Sequence, residues 1–249
     1  MTRAIAAVFA HPDDETFATG GTLAKHSEAG ARVSLYCATD GDAGRSSGIP
    51  FSSREELGRI RRAELLQACA LLGVHAVEHG GHLDGALAAA DPDVVIGQIV
   101  AFLRRERPQV VLSFGPEGAP TGHRDHKAIC RFATSAVLLA GTAAFPDQLS
   151  AGLVPHRPNR LCYVTWPIPA PNEAPRQEGQ PIQVRVPVEP WHPRKLDAFF
   201  AHRTQLDHEA YFRREAMPAT EDYFVATGAP VAGEDLFASI PHLSPGART

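Results

Sequence analysis

Residues 4–15 read AIAAVFAHPDDE, a short apolar run that ends in a histidine and three acidic side chains. The run has the length and composition of a buried β-strand, and residues 17–30 have the apolar spacing of a helix. A second apolar strand pattern follows over residues 32–38. A strand, a helix and a second strand in this order predict a βαβ unit and therefore a parallel sheet.

The same alternation continues along the chain. Ser53 starts an S-x-x-E capping box, and Asp91 with Pro92 has the pattern of a helix start. The later elements that we predict are helices over residues 53–73, 91–107 and 126–140 and strands over residues 74–79, 110–114 and 161–166. We predict an α/β fold: a Rossmann-like, mostly parallel sheet flanked by helices, with strand order 3-2-1-4-5.

One domain over residues 1–249 accounts for the whole chain, since no low-complexity linker interrupts it. We divide it into a core over residues 1–166 and a loop-rich, partly helical extension over residues 167–249. In the extension, IQVRV at residues 182–186 alternates like an edge strand. A helical region over residues 193–214 and a loose tail complete the prediction.

The composition restricts the partners of this chain. A formal net charge of -4 over 249 residues, without a Lys/Arg-rich run, argues against nucleic acid. No apolar run is long enough for a membrane span. The four cysteines form no CxxC pair and lie in apolar segments, which favours reduced thiols in a cytoplasmic protein. The composition leaves the oligomeric state open, a homo-oligomer included.

Two clusters of polar residues follow the first and fourth predicted strands. Helix capping explains one or two of the carboxylates, with Asp125 as the cap in the second cluster, but it does not explain the imidazoles. The carboxyl ends of these strands meet where the strand order reverses, so both clusters reach one crevice. Nitrogen and oxygen ligands of this kind suit zinc. The clusters are AHPDDE at residues 10–15 and GHRDH at residues 122–126.

With these two motifs, the chain resembles the PIG-L/LmbE-like family of zinc-dependent N-deacetylases. That family includes enzymes acting on N-acetylglucosaminyl phosphatidylinositol and on the sugar precursors of mycothiol and bacillithiol. Weaker similarities extend the resemblance over most of the chain. They are TDGDAG at residues 39–44, RIRRAELLQACALLGV at residues 59–74 and KLDAFFAHRTQ at residues 195–205.

The resemblance implies a zinc cofactor and removal of an N-acyl group, acetyl above all, from a small sugar-like substrate. Asp13 corresponds to the general base that takes a proton from the attacking water. His123 faces the substrate carbonyl, and Asp125 beside it holds its imidazole in the cationic form. We expect Glu15 to support the site or to cap the helix. The implied metal ligands are His11, Asp14 and His126.

Other polar residues are weaker candidates. Asp40 and Asp84 follow the second and third strands on the same edge and are candidates for binding sugar hydroxyls, although ordinary loop aspartates explain them equally well. Arg61 reaches either the substrate or an acidic neighbour. Lys195, His202 and Gln205 fit a family pattern without an assigned role.

Three alternatives to a sugar deacetylase stay open. The first is an amidase that acts on thiol-sugar conjugates. The second is a serine hydrolase that uses Ser46, because GRSSG at residues 44–48 matches G-x-S-x-G, although this stretch lies well past the second strand and not at a strand-to-helix turn. The third is a sugar-binding module without turnover, against which the complete ligand set and Asp13 argue.

Overall fold

The computed structural model describes residues 3–167 and 178–241. Within these residues seven strands form one sheet. They are β1 (Ala4–Phe9), β2 (Arg32–Thr39), β3 (Ala76–His82), β4 (Val110–Phe114), β5 (Arg160–Thr165), β6 (Val184–Pro187) and β7 (Thr220–Thr227). Their order is β3-β2-β1-β4-β5-β7-β6, parallel from β3 to β5 and antiparallel at β7 and β6.

Helices flank this sheet. α3 packs against α4, and α6 packs against both α1 and α2. The predicted α/β class and strand order 3-2-1-4-5 are therefore confirmed. None of the described helices is long and apolar enough to cross a membrane. The helices are α1 (Asp14–Glu28), α2 (Arg54–Leu72), α3 (Pro92–Glu106), α4 (Arg124–Ala140), α5 (Pro146–Ser150), α6 (His192–Ala201) and α7 (Glu209–Glu215).

The helix ends follow from local chemistry. Ser53 caps α2 by accepting a hydrogen bond from the Glu56 N–H, as the capping box predicts, and Gly73 ends the helix at a φ of 78° that favours glycine. Asp91 caps α3, with Pro92 at its first position.

The extension differs in part from the sequence prediction. The IQVRV segment overlaps β6, which lies at the edge of the sheet as predicted. The predicted helical region over residues 193–214 divides into α6, a 3₁₀ segment (Arg203–His208) and α7. Of the predicted loop-rich extension and its tail, residues 168–177 and 242–249 lie outside the described residues.

The expectation of a loose tail after residue 214 was wrong for β7, which pairs with both β5 and β6. Its sequence, TEDYFVAT, begins with polar and acidic residues that resemble a solvated tail. Glu221 is nevertheless buried, because Lys195 neutralises it at 2.6 Å. The extension therefore adds two strands to the sheet of the core. The boundary between core and extension stays a prediction.

The sheet also determines where a site forms. All six residues of β1 are buried, and β1 lies between β2 and β4, where the strand order reverses. A crevice forms beyond the carboxyl ends of the strands at such a point. Both predicted polar clusters begin there, one after β1 and the other after β4.

Candidate active site

The turn after β1 is organised by the Asp14 carboxylate. Its Oδ2 accepts hydrogen bonds from the backbone N–H groups of Ala10, at 3.2 Å, and His11, at 2.8 Å. These bonds connect the end of β1 to the first residue of α1. His11 and Asp14 are thereby held side by side, with His11 Nδ1 3.4 Å from Asp14 Oδ2.

Asp13 has a backbone conformation that non-glycine residues rarely adopt, with φ of 118° and ψ of -29°. Such strain costs about 1–3 kcal/mol and persists only where surrounding contacts hold it. The Asp13 carbonyl accepts from the N–H groups of Thr16 and Phe17, at 2.9 and 3.0 Å. Arg61 donates to the Pro12 carbonyl at 2.6 Å and to Asp13 Oδ2 at 3.2 Å. The strained turn is therefore anchored on both sides.

The second cluster is held by the start of α4. This helix begins at Arg124, earlier than predicted, and its N-cap is His123 instead of Asp125. His123 Nδ1 accepts a hydrogen bond from the Asp125 N–H at 3.3 Å. The His126 ring stacks on Phe114, with 4.1 Å between centroids. Helix capping thus explains why His123 lies at this position and which acceptor the Asp125 N–H has. It does not explain the presence of His126.

Three predicted metal ligands meet at this point. His11 Nδ1 lies 3.2 Å from His126 Nε2, and His126 Nε2 lies 3.1 Å from Asp14 Oδ1. Ligand atoms around tetrahedral zinc, each about 2.0–2.1 Å from the ion, are about 3.3 Å apart. The spacing and the donor set therefore fit zinc, and the imidazoles of His126 and His11 lower the pKa of Asp14 despite its burial, which keeps it a carboxylate.

The other nitrogen of His11 faces two more carboxylates. His11 Nε2 lies 3.1 Å from Asp84 Oδ1 and 3.4 Å from Asp125 Oδ2. Burial works against ionisation of both acids, yet their hydrogen bonds with His11 lower their pKa values. Metal-binding histidines usually donate their second N–H to a carboxylate, which orients the ring. Asp84 and Asp125 have that relation to His11.

Asp84 and Asp125 have partners in the protein that the sequence did not indicate. The remaining Asp84 oxygen, Oδ2, accepts from the Ala43 N–H, so both oxygens have partners within the protein. Asp125 Oδ2 accepts from the Gly85 N–H at 2.7 Å, and the Asp125 carboxylate is directed at His11. The expected side-chain pairing of Asp125 with His123 is replaced by the backbone contact at the start of α4.

His123 is close to both ligand histidines. Its ring centroid is 4.9 Å from those of His11 and His126. One nitrogen of each of the three rings lies within 4.8 Å of the others, so His11, His123 and His126 form a second candidate ligand set. Burial, followed by the neighbouring imidazoles, lowers the pKa of His123. Because Nδ1 accepts a hydrogen bond, the neutral ring carries its proton on Nε2.

The Asp13 carboxyl group has the properties of a general base. Burial is the main cause that raises the pKa of Asp13, to about 6. The Asp14 carboxylate also raises this pKa, whereas the Arg61 guanidinium lowers it. Arg61 is buried and also donates to the Gly41 carbonyl at 2.8 Å. One role expected for Arg61 was pairing with an acidic neighbour, and that neighbour is Asp13.

Asp40 lies away from this cluster. Its carboxylate pairs with Arg62 and lies 3.5 Å from His79. All the predicted site residues except Asp40 and Asp125 line a cavity of about 1050 Å³. Asp40 therefore lacks the position expected of a residue that binds sugar hydroxyls in this cavity.

Sequence reasoning left the role of His202 unassigned. His202 is fully buried, and its Nε2 lies 2.7 Å from Glu15 Oε1. Glu15 Oε2 accepts from the Asp13 N–H at 3.0 Å. The similarity of residues 195–205 to the family was the available signal, but nothing in the sequence indicated that His202 reaches Glu15.

The serine motif lacks the context of a nucleophile elbow. Ser46 lies in the loop between β2, which ends at Thr39, and α2, which begins at Arg54. An elbow requires a tight turn directly between strand and helix. The neighbouring Ser47 donates its hydroxyl to the Thr204 carbonyl at 2.8 Å. The loop is thus bound to the extension.

Comparison with known proteins agrees with this geometry. The family model described as PIG-L, GlcNAc-PI de-N-acetylase, matches residues 6–137, more than half of the chain, and includes both motifs. The chain belongs to the PIG-L family. The resemblance to PIG-L/LmbE-like proteins that the two motifs indicate is confirmed.

Two curated proteins are similar to this chain in sequence. It is 33% identical to a 1D-myo-inositol 2-acetamido-2-deoxy-alpha-D-glucopyranoside deacetylase of Rhodococcus opacus, with 82% of each protein covered. It is 36% identical to a probable N-acetyl-alpha-D-glucosaminyl L-malate deacetylase 2 of Bacillus cereus, over 55% of this chain and 62% of that protein.

A solved structure shows the same fold. N,N'-diacetylchitobiose deacetylase from Pyrococcus horikoshii superposes with a TM-score of 0.75 at 23% identity. The superposition covers 98% of this chain and 88% of that one. The described part of the extension, residues 178–241, is therefore part of the shared fold.

Proposed function

We propose that this PIG-L protein is a zinc-dependent hydrolase that removes the N-acetyl group from a glucosamine conjugate and releases acetate and the free amine. The triangle of His11, Asp14 and His126 beside the Asp13 carboxylate carries this proposal, because it combines a zinc-sized ligand set with a base in one cavity. Family membership supports the reaction class.

His11, Asp14 and His126 would hold the metal ion. Zinc held there would polarise the acyl carbonyl and acidify a water molecule. Asp84 and Asp125 face Nε2 of His11 and favour the proton there, so Nδ1 would be the nitrogen available to the ion. An ion with one open coordination position is the form that zinc takes in hydrolases.

Asp13 accepts the proton of the attacking water. With a pKa of about 6, it is ionised at neutral pH and still basic enough to take a proton. The Arg61 guanidinium, 3.2 Å from Asp13 Oδ2, fixes the orientation of the carboxylate. The Asp13 carboxylate lines the same cavity as the ligand triangle.

His123 Nε2–H is the donor for the carbonyl oxygen as negative charge develops on it. The capping contact from the Asp125 N–H occupies Nδ1 and leaves Nε2 to face the substrate. Such a donor stabilises the tetrahedral oxyanion. The departing amine receives its proton from Asp13, which holds the proton taken from the water, because the single proton of the neutral His123 ring already serves the oxyanion.

The substrate class follows from the cavity and the relatives. The names of the two curated relatives have an N-acetylglucosaminyl unit in common and differ in the group attached to it, inositol or malate. A cavity of about 1050 Å³ exceeds what one sugar ring fills, since pockets of ~300–1,000 Å³ hold drug-sized ligands. We propose that the sugar lies near the metal and that the attached group fills the rest.

The cysteines support a cytoplasmic location as part of this proposal. Cys37, Cys69, Cys130 and Cys162 are all free and buried. Burial raises the pKa of each thiol, which keeps it protonated and unreactive. Proteins of a reducing compartment keep thiols in this form.

Acetate release from methyl 2-acetamido-2-deoxyglucoside tests the proposal. We expect the purified protein to release acetate, a chelator to abolish the release and added zinc to restore it. Asp13→Asn should retain the metal and lose about 100- to 10,000-fold in kcat, because an amide does not accept the proton. Near-wild-type turnover by zinc-loaded Asp13→Asn would exclude Asp13 as the base.

Two further arms separate the alternatives. Ser46→Ala should turn over at the wild-type rate, whereas a large loss would favour the serine hydrolase. An acylated thiol-sugar conjugate that is cleaved much faster than the glucoside would favour the amidase. Binding of the glucoside without acetate release would identify a sugar-binding module.

A further inference from the structure

Glu15 occupies an unusual position for a helix-capping acid. Its side chain is fully buried at the second residue of α1. Oε2 accepts from the N–H of Asp13, the N-cap residue, as the acidic residue of a capping box does from the third helical position. Oε1 contacts His202 Nε2 at 2.7 Å and the Thr16 hydroxyl at 2.5 Å. Capping explains the first contact but not a histidine brought from 187 residues away.

A buried carboxylate is costly unless it is paired. His202 supplies the pairing from the junction between α6 and the 3₁₀ segment, where the chain leaves helical geometry at φ of -80° and ψ of 65°. Its second nitrogen, Nδ1, has no partner among the described residues. The contact with Glu15 is therefore the polar contact that orients this ring.

The Glu15 contact acts on the strained residue. The φ angle of Asp13, 118°, describes rotation about the bond between its nitrogen and Cα. Glu15 holds the N–H on one side of that bond, and Thr16 and Phe17 hold the Asp13 carbonyl on the other. If Glu15 turned away, the Asp13 peptide would relax and its carboxylate would leave the position set by Arg61.

We propose that Glu15 and His202 are a positioning pair, through which the C-terminal extension holds Asp13 in the conformation in which its carboxylate takes the proton from the attacking water. This inference rests on the proposed function of Asp13. It gives His202 a role in turnover although its contact is with Glu15 and not with substrate. Through His202, the C-terminal extension would then contribute to the reaction carried out by residues of the core.

Substitutions at His202 test the pair, because glutamine and asparagine differ in where they place an N–H. The amide nitrogen of glutamine reaches about as far as Nε2, whereas that of asparagine ends near the position of Nδ1. We expect His202→Asn and His202→Leu to retain stoichiometric zinc and to lose at least tenfold in kcat, with KM changed less than twofold. His202→Gln should recover most of the lost kcat.

Thr204→Val is the matched control. Thr204 is buried in the same segment, its N–H and its hydroxyl donate to Glu64, and its hydroxyl accepts from Gln205 Nε2. Removal of its hydroxyl should lower the melting temperature and leave kcat within about twofold of wild type. If His202→Leu does not fold, the kcat of His202→Gln relative to that of His202→Asn tests the positioning role of His202.

Several results would overturn the pairing. They are wild-type kcat in His202→Asn, equal loss in His202→Gln and His202→Asn, loss of zinc in either variant, or an equal fall of kcat in Thr204→Val. These results differ from failure of the proposed function itself. An active, zinc-loaded Asp13→Asn enzyme would refute the role of Asp13, whereas an inactive Asp13→Asn beside a normal His202→Asn would refute only the pair.

Discussion

Asp84 Oδ1 lies 3.1 Å from His11 Nε2, while Nδ1 of the same ring lies 3.2 Å from His126 Nε2. One imidazole thus has a carboxylate on one side and a second imidazole on the other. The carboxylate favours the proton on Nε2, which leaves Nδ1 as a lone-pair donor. This relationship supports the proposal that His11 is a metal ligand and that Asp84 orients its ring.

Asp84→Asn should weaken zinc binding about 10- to 100-fold without abolishing it, since the amide still contacts His11 but no longer favours one tautomer. Competition with a chromogenic chelator measures the affinity. Asp40→Asn is the control, because Asp40 pairs with Arg62 outside the ligand cluster. Unchanged zinc affinity in Asp84→Asn would remove this role from Asp84.

His11→Ala and His126→Ala should each lose stoichiometric zinc, because either change removes one corner of the ligand triangle. Metal analysis of the purified variants by mass spectrometry measures the content. His79→Ala, which alters a histidine beside Asp40, should keep the metal. A histidine whose alanine variant retains full zinc does not belong to the ligand set.

His123→Ala should retain zinc and lower kcat about 100- to 1,000-fold, with little change in KM, because the interaction that it removes forms in the transition state. Steady-state kinetics on zinc-loaded protein, with metal analysis in parallel, provides the measurement. Release of zinc from His123→Ala would instead support the alternative ligand set of His11, His123 and His126.

His26 predicts a pH dependence of stability that is independent of the metal site. Burial lowers its pKa from 6.5 to about 4, and the neighbouring Lys25 charge acts in the same direction. The folded protein therefore keeps this ring neutral, whereas the unfolded chain takes up a proton below pH 6.5. The contribution of His26 is fully present above pH 6.5 and is lost as the pH falls towards about 4.

Urea unfolding of wild type and His26→Leu at pH 7.5 and 5.0 measures this effect. The wild type should lose about 2 kcal/mol more unfolding free energy than the variant over that interval. Subtracting the free-energy loss of the variant from that of the wild type removes the contributions of the other titrating groups. Parallel losses in both proteins would show that His26 is not protonated on unfolding in this range.

The parallel sheet and the two motifs were readable from the sequence because each depends on local pattern. The apolar run at residues 4–10 predicts β1, and residues 110–114 predict β4 with the same bounds as in the structure. Topology then places the residues after these strands at one crevice. The family and the candidate ligands His11, Asp14 and His126 followed from these short stretches.

Contacts between distant segments were decided only by the tertiary structure. Asp84 and Asp125 were expected to meet substrate and His123, yet their carboxylates lie 3.1 and 3.4 Å from His11 Nε2. β7 looked like a tail because its buried Glu221 has its cation, Lys195, on another element. His202 reaches Glu15 from the far end of the chain. Local patterns determine which residues form strands, helices and turns, whereas the partner of a buried charge depends on the packing of the whole chain.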